Sequence, residues 1–214
     1  MGHYGSGKTS IAASFALEIK SLGREVTVAD LDIVNPYYRT KDWAKEFEEN
    51  GVGLVALPYA NTNLDLPSLP SEIYGLLQRR DLNVVLDIGG DDRGAYALGR
   101  FRGMILEEND FDNYFVVNFL RPLTRTPDEA LESMYEIAAA SGIPFTGIVN
   151  NTNLGPETDA RIILDGLARC RELSERSGLS IVFTTVEKPE LLSDFKDADF
   201  GAEGLKQIKV KRII

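Results

Sequence analysis

Gly2-His3-Tyr4-Gly5-Ser6-Gly7-Lys8-Thr9 fits the pattern G-x-x-x-x-G-K-[S/T] at every fixed position, and an apolar-periodic segment follows it directly. Glycines at the bends of such a loop let consecutive backbone N–H groups turn inward around an anion, and the next helix adds the positive end of its dipole. In this pattern the lysine reaches the terminal phosphates of a nucleotide and the hydroxyl holds Mg²⁺. The stretch therefore predicts a phosphate-binding loop, with an ordinary glycine-rich turn before a helix as the alternative. The predicted nucleotide-binding positions in and beside the loop are Gly2, Gly5, Ser6, Gly7, Lys8, Thr9 and Ser10.

The composition indicates an ordinary globular protein. The 214 residues are 43% hydrophobic and 26% charged, and we expect one domain over residues 1–214. No run approaches the ~18 apolar residues of a membrane span, and no basic-then-apolar leader precedes the loop, which favours a cytoplasmic protein without membrane contact. Because 33 acidic residues outnumber 23 basic ones and no long basic run occurs, nucleic acid is not an expected partner.

Cys170 is the only cysteine of the chain. A single cysteine excludes internal disulfides and any metal site built on a cysteine pair within one subunit. Cys170 shares an apolar stripe with Ile163 and Leu167, which predicts a buried structural thiol.

Apolar runs alternate with helical segments along the chain. This order predicts an α/β fold, in which a doubly wound, mostly parallel sheet is covered by helices on both faces. Helix signals include a capping box at residues 126–129 and a long amphipathic segment over residues 157–177. The C-terminal residues 207–214 mix lysines with apolar residues and predict an edge strand, with a membrane-touching tail as the alternative. The predicted strands are Glu25–Asp32, Gly51–Leu57, Asn83–Ile88, Tyr114–Leu120, Thr146–Asn150 and Ser180–Val186.

A loop of this kind normally connects the first parallel strand of the sheet to its helix, and only Met1 precedes Gly2 here. We therefore expect the sheet formed by this sequence to lack its first strand. Neighbouring strand edges would then be unpaired, which lowers stability and weakens the anchoring of the loop.

Acidic residues close two of the predicted strands. Asp30 and Asp32 end the strand at residues 25–32, and residues i and i+2 share one face of a strand. In doubly wound folds ligands lie beyond the carboxyl ends of the strands, so both carboxylates are expected near the phosphate loop. One would hold an Mg²⁺ water while the other orients the attacking water. The alternative is that one of them caps the following turn.

The strand at residues 83–88 closes in Asp87-Ile88-Gly89-Gly90-Asp91. Asp87 is placed to join the coordination sphere of the metal, and Gly90 to offer its backbone N–H to a γ-phosphate. A buried strand followed by a glycine turn is common. The segment therefore predicts a metal and phosphate site only in combination with the loop and the acids that precede it.

These motifs, in this order, resemble the MinD/ParA-like family of P-loop NTPases, and the resemblance covers most of the chain. It implies the three-layer P-loop NTPase architecture, with ATP and Mg²⁺ as cofactors. It also implies that Lys8 and Asp32 are catalytic, Asp32 as the carboxylate that activates water. Thr9, Asp30 and Asp87 are then the metal-side residues.

The resemblance extends to the segment Gly147-Ile148-Val149-Asn150-Asn151. It is similar to the family strand whose terminal Asn hydrogen-bonds the adenine ring, which makes Asn150 the base-reading candidate. A turn-forming Asn is the alternative. His3 departs from the family pattern, because most members carry there a second lysine that reaches across a dimer to the partner's nucleotide. Neutral imidazole, with a reference pKa of about 6.5, supplies no permanent charge at pH 7, so a homodimer closed by a lysine is not implied.

The favoured hypothesis is an Mg-ATP switch ATPase that controls an unidentified protein partner, with a homodimer as an open possibility. A P-loop metabolite kinase or an ATP-dependent ligase is one alternative. A nucleotide-binding scaffold with little hydrolysis is another, and the missing first strand and the missing second lysine favour it.

Overall fold

The computed structural model describes residues 1–32, 40–56, 71–90, 92–195 and 204–208. Helices and strands alternate along most of this part of the chain. Its strands are Val26–Leu31 (β1), Gly53–Ala56 (β2), Asn83–Ile88 (β3), Tyr114–Val117 (β4), Gly147–Asn150 (β5), Ile181–Val186 (β6) and Leu205–Gln207 (β7). Its α-helices are Lys8–Ser21 (α1), Thr40–Asn50 (α2), Ser71–Leu77 (α3), Asp92–Gly99 (α4), Arg102–Glu108 (α5), Pro127–Ser141 (α6) and Ala160–Ser177 (α7).

Every strand pair in the described residues is parallel, which confirms the α/β prediction. The strands form two sheets, one in the order β2-β1-β3 and one in the order β4-β5-β6-β7. β1 pairs with β3 so that Asp30 lies opposite Asp87. The acids predicted at the ends of these two strands are therefore neighbours across the sheet.

Met1 lies between the two sheets. Its N-terminal amine donates to the carbonyl of Tyr114 at 2.7 Å, and its own carbonyl accepts the N–H of Val116 at 2.8 Å, a parallel bridge to the edge of β4. Its side chain packs against the core clusters of both sheets. Among the described residues the first strand, β1, follows α1, and β3 and β4 are not paired with each other.

Helices cover both faces of the sheets. α1 packs on β1 through Ala13 and Ala16, and on β4, β5 and β6 through Ile11, so it spans the two sheets on one side. On the other side α6 and α7 bury the opposite face of β4 and β5. Cys170 is fully buried in this cluster with Ile163 and Leu167, which confirms the predicted structural thiol.

Several element ends are set by local hydrogen bonds. Thr126 and Glu129 form the predicted capping box at the start of α6. α7 begins at Ala160 instead of residue 157, because the side chain of Asp159 caps it by accepting the N–H of Ile162 at 2.8 Å. Residues 155–157 form a separate 3₁₀ turn, and β4 ends at Val117 because the chain turns at the next residue.

The C-terminal strand lies earlier in the chain than the sequence predicted. β7 is an edge strand parallel to β6, but it covers residues 205–207, so it overlaps the predicted strand at Gln207 alone. Residues 209–214 lie outside the described part of the chain. Within that part, no helix combines the length and apolarity needed to cross a bilayer.

Candidate functional site

The predicted phosphate loop is a tight turn at the N-terminus of α1. The N–H of Ser6 donates to the carbonyl of His3 at 3.2 Å, and the Lys8 ammonium donates to the same carbonyl at 3.1 Å. Gly7 is the N-cap of α1 in the left-handed conformation, with φ +88°. Gly7 has no side chain to cap the helix, and the first turn of α1 contains no acidic residue. The positive end of the α1 dipole therefore faces the loop, and no residue of this turn neutralises it.

Gly7 is required by its surroundings as well as by its dihedral angle. A Cβ atom at this position would lie 2.2 Å from the side-chain nitrogen of Asn151. That nitrogen donates to the carbonyl of Ser6 at 2.6 Å, and the Asn151 oxygen accepts the hydroxyl of Thr185. Asn151 therefore connects the phosphate loop to the ends of β5 and β6.

Thr9 and Asp87 meet beside the loop. Asp87 is 4% exposed at the end of β3 and accepts a hydrogen bond from the Thr9 hydroxyl. Burial raises the pKa of the Asp87 carboxyl; the Thr9 hydrogen bond and the charge of Lys8 act in the opposite direction, and the Asp32 carboxylate adds to the rise. The charged form of the Asp87 carboxyl is therefore destabilised by its surroundings, and a bound cation would stabilise it.

Asp32 and Gly90 lie on the same side of the site. A Cβ on Gly90 would be 2.7 Å from the Lys8 nitrogen and 2.6 Å from the backbone nitrogen of Tyr4, so only glycine fits there. A Cβ on Gly89 would be 3.0 Å from an oxygen of Asp32. The structure thus brings Lys8, Asp32 and the glycine pair after β3 together, as the sequence predicted.

The side chain of Asp30 makes a hydrogen bond within the turn that follows β1. It is 2% exposed and its Oδ1 accepts the N–H of Asp32 at 2.9 Å, the turn-capping geometry that the sequence left open as an alternative. Its register partner on β3 is Asp87, so it remains close to the predicted metal side.

The oxygens of Thr9 and Asp87 suit a magnesium ion. Mg²⁺ prefers hard oxygen ligands and is usually held by one or two protein groups together with phosphate oxygens and water. In the described residues no group of three or more acidic, histidine or cysteine side chains could hold a metal ion alone. The arrangement fits an ion bound jointly with a phosphate better than a metal site made only by the protein.

The amine of Met1 also faces this region. Burial, together with the charge of Lys8, lowers its pKa to about 5, and Asp87 acts in the opposite direction. Lys8 is the side-chain cation whose charge acts on Asp87.

A cavity of about 500 Å³ begins at the loop and extends toward the ends of β5 and β6. Its size suits a nucleotide-sized ligand. It is lined by the loop residues Gly5, Gly7, Thr9 and Ser10, by Asn151, which contacts the loop, and by Asn153, Thr185, Glu187 and Lys188.

Asn150 does not line this cavity. It is fully buried, and its Oδ1 accepts the hydroxyl of Thr152 at 2.7 Å while its amide faces Thr184 at 3.5 Å. The base-reading role predicted for Asn150 therefore does not fit its position, whereas its neighbour Asn151 borders the cavity. The sequence signal for Asn151 is that it is the first residue after β5, where side chains reach the ligand edge of a parallel sheet.

A second depression of about 490 Å³ lies on the other side of the loop, next to Gly90. His3 and Tyr4 form one wall, and Leu123 with α6 residues Glu132 and Glu136 forms another. His3 contributes its ring nitrogen Nδ1 to a 3.2 Å contact with the Tyr4 carbonyl, and its main-chain carbonyl receives Lys8.

Solved structures share the fold of this chain. No family model and no curated protein matches the sequence. The signal recognition particle receptor FtsY from Elizabethkingia anophelis matches with a TM-score of 0.55 at 18% identity, covering 89% of this chain and 59% of its own. FtsY from Thermotoga maritima matches at 0.55 and 14% identity (87% and 60% covered), and FtsY from Mycoplasma mycoides at 0.55 and 20% identity (87% and 58% covered). The chain thus spans about three fifths of these proteins, and at such identities the similarity shows the P-loop NTPase fold alone.

Proposed function

We propose that this protein binds Mg-ATP and hydrolyses it as a switch that controls a protein partner. The observation that carries the proposal is the convergence of Lys8, Thr9, Asp87 and Asp32 at the N-terminus of α1, where a cavity of about 500 Å³ begins. A helix N-terminus, a lysine and a buried carboxylate with a threonine hydroxyl are the groups that bind a polyphosphate and its cation.

Each residue of the site has its own role in the proposed hydrolysis of ATP. The backbone N–H groups of the loop and the Lys8 ammonium hold the terminal phosphates and stabilise the charge that grows on them during transfer. Thr9 and Asp87 would hold Mg²⁺, which when bound neutralises phosphate charge. Asp32 orients a water molecule toward the γ-phosphate and takes up its proton.

Gly90 couples the phosphate to the chain that follows β3. Its backbone lies against Lys8 and Tyr4, so an added γ-phosphate would meet it directly. Residues 33–39, which follow Asp32, lie outside the described part of the chain. Contact of the γ-phosphate with Gly90, and loss of that contact after hydrolysis, would change the affinity for the partner.

The choice of ATP over GTP is part of the proposal. It is supported by the resemblance to MinD/ParA-like proteins. Asn153, which also lines the cavity, offers an amide group that is able to bond either purine.

Calorimetric titration with non-hydrolysable ATP and GTP analogues in the presence of Mg²⁺ tests this function. We expect binding of the ATP analogue, weakened about 10- to 100-fold in Lys8→Ala because a charge-assisted bond to phosphate is lost. Lys20→Ala is the matched control: Lys20 is also on α1 but pairs with Glu25 at 2.7 Å, so its loss should leave affinity unchanged. Equal affinity of wild type and Lys8→Ala would contradict the loop assignment.

A kinase or ligase is the second candidate, favoured by the depression beside Gly90. Its walls carry Glu132 and Glu136 and leave room for a second substrate next to the expected γ-phosphate. Turnover that rises severalfold only when a metabolite is added would favour this class over a switch ATPase. Tight binding with no phosphate release under any condition would favour the scaffold.

The oligomeric state is open to a direct test. We expect the nucleotide to act without a trans lysine, because His3 occupies that position. Light scattering of the protein with and without the ATP analogue measures whether a homodimer forms on binding.

A further inference from the structure

A well-anchored loop follows β4 and carries Arg121. Asn118, fully buried, donates its side-chain amide to the carbonyl of Asn153 at 3.1 Å and accepts the N–H of Leu120 on Oδ1 at 3.0 Å. Its main-chain carbonyl accepts the N–H of Arg121 at 3.1 Å and the hydroxyl of Thr124 at 2.9 Å. These bonds fix the backbone of Arg121 relative to the ends of β4 and β5.

The next residues hold the loop in an uncommon backbone conformation. Pro122 has a restricted φ, and Leu123 has a φ of +64°, which L-residues other than Asn and Asp rarely adopt. Such a conformation persists only where surrounding contacts determine it, and it is found disproportionately at functional sites.

The Arg121 side chain crosses the phosphate loop at Gly5. A Cβ at Gly5 would lie 3.5 Å from Cδ, 3.6 Å from Nε and 3.9 Å from Cζ of Arg121. Gly5 has a φ of +79° and no side chain, so the arginine lies against bare backbone. Both residues line the cavity that contains Gly7 and Thr9.

The guanidinium of Arg121 has no hydrogen bond and no ion pair with any residue in the described ranges. Other arginines of the protein do pair, as Arg79 does with Asp81 at 2.6 Å and Arg176 with Asp128. Arg121 therefore brings a second permanent cation, beside Lys8, to a loop already polarised by the start of α1, and this combination favours binding of a polyanion.

We propose that Arg121 binds the nucleotide phosphates from within the same chain. This inference rests on the proposed nucleotide binding and adds a residue to that site. A guanidinium stays charged at any physiological pH and presents a planar set of five N–H donors, a geometry that suits phosphate oxygens. No partner subunit is needed to complete the charge around the phosphates.

Calorimetric titration with a non-hydrolysable ATP analogue and Mg²⁺, at low and at moderate salt, tests this role. We expect Arg121→Gln to bind about 10- to 100-fold more weakly than wild type, and Arg121→Lys to fall between them. The affinity of Arg121→Gln should also depend less on salt, since one charge contact is lost. Arg125→Gln is the matched control, because Arg125 is exposed in the same loop and does not line the cavity.

The outcomes separate a phosphate contact from other roles. Unchanged affinity in Arg121→Gln, or equal weakening in Arg121→Gln and Arg125→Gln, would overturn the inference. Thermal unfolding without nucleotide should be the same for wild type and Arg121→Lys, which excludes a merely structural effect. If Lys8→Ala weakens binding and Arg121→Gln does not, this inference alone fails; if wild type binds no nucleotide, the proposed function fails first.

Discussion

Replacing Gly7 by alanine should destabilise the protein by two separable effects. The first is backbone strain, because a left-handed φ of +88° costs an L-residue about 1–2 kcal/mol. The second is the contact with the Asn151 amide nitrogen, 2.2 Å from the new methyl group, which forces Asn151 away from Ser6 and Thr185. Two weakened hydrogen bonds at roughly 0.5–1.5 kcal/mol each bring the expected total to about 2–5 kcal/mol.

Gly23→Ala is the matched control for the strain. Gly23 has a φ of +76°, and nothing lies within 4 Å of the position of its Cβ, so only the first effect operates there. In urea unfolding, Gly7→Ala should therefore lose about 1–3 kcal/mol more than Gly23→Ala. A cycle with Asn151→Ala isolates the second effect, because the cost of Gly7→Ala should fall to that of Gly23→Ala once the amide is absent. Equal destabilisation by the two glycine variants in the wild-type background would refute the account of Asn151 as the connection between loop and strands.

Three further predictions concern the acids and the thiol. Asp87→Asn should raise the free energy of unfolding without ligand while abolishing the Mg²⁺ dependence of nucleotide binding, which chemical unfolding and calorimetry measure. Because the folded pKa of Asp87 is raised above its unfolded value, wild type should lose stability relative to Asp87→Asn as pH rises above 3.8, and a flat difference between the two profiles would argue against a strained carboxylate. Asp32→Asn should keep affinity for the ATP analogue and lower the hydrolysis rate about 10²- to 10⁴-fold in a phosphate-release assay; undiminished hydrolysis would remove Asp32 from the mechanism. Cys170, fully buried, should react with a thiol reagent only at the rate of unfolding, and rapid labelling of the native protein would contradict its place in the core.

The elements predicted best are those with complete local signals. β3 was predicted at its observed bounds, because an apolar run closed by an acid and two glycines leaves little choice of end points. The start of α6 was predicted from its capping box, since both halves of the box lie within four residues. α7 was predicted three residues too long, because the side chain of Asp159 and the 3₁₀ turn before it decide the boundary.

The site shows the limit of sequence reasoning more clearly than the fold. Asn150 and Asn151 are the same residue type at one strand end, and only the packing of Thr152 and Thr184 around Asn150 shows which of them faces the cavity. Arg121 lies more than a hundred residues from the phosphate loop and has no motif of its own. Its signal is a contact across Gly5, which becomes visible only when β4 and α1 are packed together.

The position of α1 explains why phosphate binding and the packing of the two sheets should depend on each other. β3 and β4 are not paired, so the described residues hold the sheets together through Met1 and through helices such as α1, which packs on both. The acids of the site lie in or directly after β1 and β3, whereas Thr185 lies in β6, and Asn151 and Arg121 come after β5 and β4 of the other sheet. A nucleotide that contacts both groups adds binding free energy to the junction, about 2.7 kcal/mol at a ligand concentration one hundred times Kd. The phosphate loop, at the N-terminus of the helix that spans this junction, is therefore where ligand binding would stabilise the packing of one sheet against the other.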